Sequence, residues 1–100
     1  MLETTLTTVS VKILLFATLR SKYKTRELTV ACNGTLLSMI ESAAKLLGPE
    51  FIDDVYDRKK GKARNDMIIM VNGRNIKDLE GEITLKDNDV VAIFPPLAGG

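Results

Sequence analysis

One stretch of this sequence carries a long helical pattern, and strand-like segments lie on both sides of it. Its apolar residues recur at the spacing of one helix face: Leu36, Ile40, Ala43 and Leu47. Thr35 in front can cap the helix with its hydroxyl, and Gly48-Pro49 behind it is a stop signal, because proline cannot continue the hydrogen-bond ladder. A chain of 100 residues is long enough for one domain with one core. We therefore predict one main helix over 35–47 that covers one face of a sheet.

Five segments are predicted to be the strands of that sheet. They cover residues 9–16, 27–32, 67–71, 74–76 and 90–94. The first alternates between apolar and more polar residues, which is typical of a strand with one buried face. The run 67–71 is compact and apolar, which favours a central strand, and Asn72-Gly73 after it is a hairpin signal because both residues tolerate positive φ. The predicted fold class is α+β, with a mixed sheet of four to five strands.

The remaining segments are predicted to be connections and termini. Residues 17–26 form a polar connection, and residues 57–66, which are charged and lack an apolar period, form a solvated, mobile loop. Pro49 can start a short second helix that carries Phe51, Ile52 and Val55 inward. The predicted domain covers residues 9–96, between a flexible leader at 1–8 and a flexible tail at 97–100.

Composition argues against several classes of function. With 14 basic and 13 acidic side chains the net charge is +1, so bulk electrostatics favour neither a nucleic acid nor a membrane as partner. Histidine, the commonest metal ligand and neutral-pH base, is absent. The single cysteine, Cys32, fits a reducing cytoplasm and a small buried apolar side chain better than a catalytic role. Basic residues gather between 58 and 64, and we assign them to solvated surface rather than to RNA contact.

The last six residues carry the strongest functional signal: Pro95, Pro96, Leu97, Ala98, Gly99 and Gly100. Two successive prolines fix φ and favour a stiff, extended exit from the last strand. Two glycines have no side chains, so they can enter a narrow channel and present a bare carboxylate. At ordinary glycine usage such a pair arises by chance in roughly one chain in 200, and its position after a diproline strengthens the signal. This design suits an enzyme that brings a carboxylate to the α-phosphate of ATP.

Three segments resemble the ubiquitin-like sulfur carriers: residues 11–20 (VKILLFATLR), 71–74 (VNGR) and 85–100 (LKDNDVVAIFPPLAGG). The similarity extends from about Val9 to Gly100, and it is strongest to the small subunit of molybdopterin synthase and to the small archaeal modifier proteins. The resemblance implies a β-grasp fold, adenylation of Gly100 by a ubiquitin-activating-type adenylyltransferase, and conversion of Gly100 to a thiocarboxylate. It also implies that the chain is a carrier rather than an enzyme and binds no cofactor or metal, since the activating partner uses the ATP and Mg.

The resemblance implies further partners in the cytoplasm. They are a sulfur donor, either a cysteine desulfurase or a rhodanese-like protein, and the large subunit of molybdopterin synthase. Sulfur would then enter molybdopterin or tungstopterin cofactor biosynthesis, or tRNA thiolation. The alternative function is that of a ubiquitin-like modifier, in which Gly100 forms an isopeptide bond with a target lysine, in place of sulfur transfer or in addition to it.

Several side chains near the tail or in the matching segments are candidates for partner contact: Phe16, Arg20, Arg74, Phe94 and Leu97. Phe16, Phe94 and Leu97 would form an exposed apolar patch that docks the activating enzyme or a larger subunit. Ile93 belongs either to this patch or to the core, and the core is favoured. For Arg20 and Arg74, pairing with acids on a partner and simple solvation both stay open.

Overall fold

The computed structural model describes residues 8–79, 81 and 83–96. Except for Thr8, the predicted leader lies outside the described residues, and so does the predicted tail at 97–100. In chain order the elements are β1 (Val9–Leu15), α1 (Ala17–Tyr23), β2 (Glu27–Cys32), α2 (Leu36–Leu47), α3 (Glu50–Val55), β3 (Tyr56–Asp57), β4 (Lys62–Ala63), β5 (Ile68–Val71), β6 (Arg74–Asn75), a 3-10 turn (Ile76–Asp78) and β7 (Val90–Phe94).

The main sheet has five strands in the order β2-β1-β7-β5-β6. Strands β1 and β7 run parallel, and the other pairs are antiparallel, so the predicted mixed sheet is confirmed. The prediction of a central strand at 67–71 is confirmed in that β5 is an interior strand with β7 and β6 on its two sides, although β7 occupies the middle of the sheet. An apolar run could not distinguish the two positions, since both strands have a neighbour on each side.

Alternation along β1 builds one side of the core. Val11, Ile13 and Leu15 are fully buried, whereas Ser10 and Lys12 on the opposite face are exposed. This period of two is what a strand with one covered face requires. The buried face packs against α2, whose own buried residues are Met39, Ile40, Ala43 and Ala44.

Helix α2 confirms the main prediction and shifts the centre of its buried face. The Thr35 side chain accepts a hydrogen bond from the backbone N–H of Ser38, as an N-cap should. Of the four predicted inward residues, Ile40 and Ala43 are fully buried, while Leu36 and Leu47 are half-buried at the two ends of the helix. The short helix predicted after Pro49 is also present, and Phe51 and Val55 point into the core from it.

Two segments predicted to lack regular structure contain it. Residues 17–26 include α1, although Leu19 is the only residue of that helix that is buried, so the segment has no apolar period to reveal it. Residues 57–66 contain most of the β3–β4 hairpin, in which Tyr56 pairs with Ala63 and Asp57 with Lys62. The Asp57 carboxylate accepts the backbone N–H groups of the turn that follows, a local bond that charge content does not predict.

Candidate functional site at the root of the C-terminal tail

Phe94 ends the central strand and stands at the point where the tail leaves the domain. Its ring stacks on that of Phe16, with the ring centres 4.3 Å apart and the planes 10° from parallel. Phe16 comes directly after β1, which runs beside β7 in the same direction, so both rings lie at the same end of the sheet. Pro95 is buried and Pro96 is exposed. The tail therefore begins from a fixed aromatic pair.

Arg20 reaches back from α1 to the same place. Its Nε donates a hydrogen bond to the backbone carbonyl of Leu15 at 3.0 Å, and its guanidinium carbon lies 5.1 Å from the centre of the Phe16 ring. That distance is within the range of a cation–π contact. The ion pairs among the described residues do not include Arg20. Phe16, Arg20 and Phe94, which were each predicted to contact a partner, therefore lie together in one cluster.

The face of the sheet opposite α2 carries an apolar patch. It lies beside the tail root, by which we mean Phe94, Pro95 and Pro96, where the tail leaves the domain. Leu14 and Met70 lie on either side of Ala92 in one row, and Ile68 lies opposite Phe94 in the next row. We define the open-face patch by its members: Leu14, Phe16, Ile68, Met70, Ala92 and Phe94. Ile68 is 46% exposed, which is unusual for a large apolar side chain in the middle of a sheet. The patch offers a partner an apolar surface that is continuous with the start of the tail.

A small notch lies on another side of the tail root. It is lined by Thr18, Leu19, Lys22, Asp54, Arg64, Asp66, Met67, Pro95 and Pro96. Lys22 Nζ lies 2.8 Å from a carboxylate oxygen of Asp54, and the Tyr23 hydroxyl donates a hydrogen bond to the same oxygen. Tyr23 also packs edge to face on the buried Phe51, with ring centres 5.4 Å apart. These contacts tie α1 to α3.

Lys22, Tyr23 and Asp54 form a brace between α1 and α3, and their contacts shift the pKa values of all three groups. Partial burial by itself raises the pKa of Asp54, but the hydrogen bonds from Lys22 and Tyr23 outweigh burial and hold that pKa below its usual value. Burial, and then the hydrogen bond to Asp54, raises the pKa of the Tyr23 hydroxyl. The hydrogen bond to Asp54 also raises the pKa of Lys22. Near neutral pH the brace is therefore an ionised carboxylate held by an ammonium group and a protonated phenol.

The other predicted site residues separate into three groups. Arg74 is exposed in β6 opposite Val71, which pairs with Val91, so it lies toward the end of the sheet away from Phe94. Ile93 is fully buried, which confirms the core assignment, and Cys32 is buried as well. Leu97, Ala98, Gly99 and Gly100 lie outside the described residues. Among residues 8–79, 81 and 83–96, no three Asp, Glu or Cys side chains form a group that could hold a metal ion.

Several residues that the fold brings to the tail root were not predicted from the sequence. Ile68 and Met70 were part of an apolar run, and only the register with β7 shows which two of its residues face outward. Ala17 has a φ of +51°, which gives the chain a sharp turn between Phe16 and α1. Alanine is not a residue type that predicts such a turn. Lys22 and Asp54 are 32 residues apart, and nothing local in the sequence signals their contact.

A model of the ThiS family matches residues 13–100, which is most of the chain. The chain belongs to the ThiS family. It is 31% identical over 94 residues to a molybdopterin synthase sulfur carrier subunit of Aedes aegypti, covering 92% of this chain and 90% of that one. It is also 34% identical over 68 residues to small archaeal modifier protein 3 of Haloferax volcanii, 67% of each chain.

Solved structures give the same assignment for this ThiS-family chain. The solution structure of small archaeal modifier protein 1 from Methanosarcina acetivorans is similar with a TM-score of 0.74 and 31% identity, over 94% of this chain and 99% of that one. The expected β-grasp fold is therefore confirmed. Its relatives are small sulfur carriers and modifiers, so the chain is a carrier protein of the ubiquitin-like class and not an enzyme. Within the part of the chain that the structure describes, no helix is long and apolar enough to cross a membrane.

Proposed function

We propose that this chain carries sulfur on Gly100. A carboxylate oxygen of Gly100 attacks the α-phosphorus of ATP in an activating adenylyltransferase, and pyrophosphate leaves. The terminal sulfur of a donor persulfide then attacks the acyl carbon, and AMP leaves. A second thiol of the donor breaks the sulfur–sulfur bond, so the donor ends as a disulfide and Gly100 as a thiocarboxylate. The ATP and Mg belong to the activating partner.

One observation carries the proposal: the tail root lies at the border of the open-face patch. A partner that covers Ile68, Met70 and Phe94 contacts the residue directly before the diproline, so it lies next to the start of the tail. Such an arrangement lets apolar contact on the sheet hold the carrier while the last residues reach a distant nucleotide. Holding the reactants in this way turns an encounter into an effectively intramolecular step, which can contribute several kcal/mol, up to roughly 10.

The other partners follow from the relatives. By similarity to the molybdopterin synthase sulfur carrier subunit, we assign delivery of the sulfur to a pterin precursor in a complex with a large synthase subunit. The persulfide donor is a cysteine desulfurase or a rhodanese-like protein, and tRNA thiolation is a second destination for the sulfur. Because the chain has a single buried cysteine, we place this chemistry in a reducing cytoplasm.

A second candidate function is supported by the similarity to small archaeal modifier proteins. Once adenylated, the Gly100 acyl group can react with the amine of a target lysine and form an isopeptide bond. Both functions share the adenylate and differ in the nucleophile that takes the acyl group. In a chain that performs both functions, the two pathways would separate after adenylation of Gly100.

The experiment is a comparison of the full chain with a variant that lacks Gly100. Deletion retracts the terminal carboxylate by up to about 3.5 Å, and a misplacement of about 1 Å can cost roughly a hundredfold in rate. We expect ATP–pyrophosphate exchange with the cognate adenylyltransferase to collapse while the melting temperature stays the same. Full exchange by the shortened chain would refute the proposal. With a persulfide donor added, intact mass should rise by the difference between sulfur and oxygen, whereas adducts on lysines would support the modifier function.

A further inference from the structure

We infer that Arg20 and Phe16 are positioning residues that fix the direction in which the tail leaves the domain. This inference rests on the proposed function, because direction matters only if Gly100 must reach a reacting partner. Arg20, Phe16 and Phe94 form three layers, with the guanidinium over one ring and that ring over the next. Phe94 is bonded directly to Pro95, so the last layer of the stack is also the first fixed point of the tail.

Contacts outside the two aromatic rings also hold the stack in place. The hydrogen bond from Arg20 Nε to the Leu15 carbonyl sets the plane of the guanidinium above the ring. Ala17 turns the chain between Phe16 and Arg20 with a φ of +51°, a conformation that residues with a side chain rarely adopt. The contacts of Lys22 and Tyr23 with Asp54 then anchor the far end of α1 to α3. The sharp turn at Ala17 brings the Arg20 side chain back over the Phe16 ring.

Chain geometry explains why a small change of direction at Phe94 displaces the residues that follow it. The two prolines beyond Phe94 reach at most roughly 7 Å, so a 10° error in the exit direction displaces the end of the diproline by roughly 1 Å. Two prolines transmit that error instead of absorbing it, since their φ angles are fixed. An error of about 1 Å is comparable with the misplacement that can cost a reacting group roughly a hundredfold in rate.

Two pairs of variants separate positioning from partner contact. Phe16→Leu keeps an apolar side chain for a partner but removes the flat ring, while Phe16→Tyr restores the ring. Arg20→Met keeps the length of the side chain and removes both the charge and the Nε donor, while Arg20→Ala also removes the side-chain stem. The exposed Leu46 on α2 supplies a control, Leu46→Ala, far from the stack.

The first measurement uses the protein alone. We expect Cα–Hα residual dipolar couplings of Pro95 and Pro96 to shrink in Phe16→Leu and Arg20→Met, with those of β7 unchanged, and to recover in Phe16→Tyr. Couplings that match the wild type in both disruptive variants would overturn the inference. This readout needs no enzyme, so it tests the stack even if the wild-type chain is not activated, a result that would count against the proposed function instead.

The second measurement is ATP–pyrophosphate exchange with the cognate adenylyltransferase. We expect kcat to fall about tenfold in Phe16→Leu and Arg20→Met, with KM for the carrier nearly unchanged and with Phe16→Tyr close to wild type. A loss confined to KM would show that these residues act by touching the partner, and would overturn the positioning role. Unchanged kcat and KM with an active wild-type chain would overturn it as well.

Discussion

Substitution of Asn72 tests how strongly the β5–β6 turn is held to the start of β7, at the end of the sheet away from the tail. Asn72 is the first residue of the turn between β5 and β6, and its φ of +51° is followed by a φ of +85° at Gly73. Its side-chain amide donates to Asp89 at 2.8 Å, and its side-chain oxygen accepts the backbone N–H of Val90 at 2.9 Å. One side chain thus joins a hairpin turn to the start of β7.

The expected loss can be worked out contact by contact. A neutral hydrogen bond contributes about 1 kcal/mol and one to a carboxylate about 1.5 kcal/mol or more. Placing alanine at positive φ adds about 1 kcal/mol. We therefore expect Asn72→Ala to lower the free energy of unfolding by about 3.5 kcal/mol. In Asn72→Gly the backbone strain is absent and the loss should be nearer about 2.5 kcal/mol.

Urea and thermal unfolding followed by circular dichroism measure this difference. For a domain of this size, about 3.5 kcal/mol corresponds to a fall of at least roughly 14 °C in melting temperature. ATP–pyrophosphate exchange at a temperature where the variants are folded should stay at the wild-type level, because Phe94 lies at the other end of β7. An Asn72→Ala protein within about 0.5 kcal/mol of wild type, or one no worse than Asn72→Gly, would refute the reasoning.

Two further predictions concern the brace and the open-face patch. The pKa of Asp54 is depressed by folding, so its stabilising contribution is present above the unfolded-state pKa and is lost as pH falls through the folded-state pKa. The free energy of unfolding of the wild type should therefore drop more steeply below about pH 4 than that of Asp54→Asn, and parallel curves would contradict this prediction. Ile68→Glu should raise KM for the carrier at least roughly tenfold by placing a charge in an apolar contact, whereas Leu46→Glu, at a still more exposed apolar position on α2, should leave KM unchanged. Equal effects of the two substitutions, measured by exchange kinetics, would show that the open face is not the docking surface.

Local patterns determined much of the fold. The period of two in residues 9–15 and the capped, apolar stripe after Thr35 specify a strand and a helix whatever surrounds them, because each follows from side-chain geometry along one element. Asn72-Gly73 specified its turn for the same reason, since few residues accept two positive φ angles in succession. The terminal Gly99-Gly100 pair, with its resemblance to the sulfur carriers, likewise led from the sequence to the family.

Tertiary structure alone decided the rest. Helix α1 buries only Leu19, so its stability comes from contacts with distant partners such as Asp54 and not from a pattern in its own residues. The open-face patch exists because the register between β5 and β7 turns Ile68 and Met70 outward beside Phe94, and a one-residue slip would bury them instead. The assembly of the tail root from Arg20, Phe16 and Phe94 is non-local in the same sense. Its members belong to segments that the parallel pairing of β1 with β7 brings side by side.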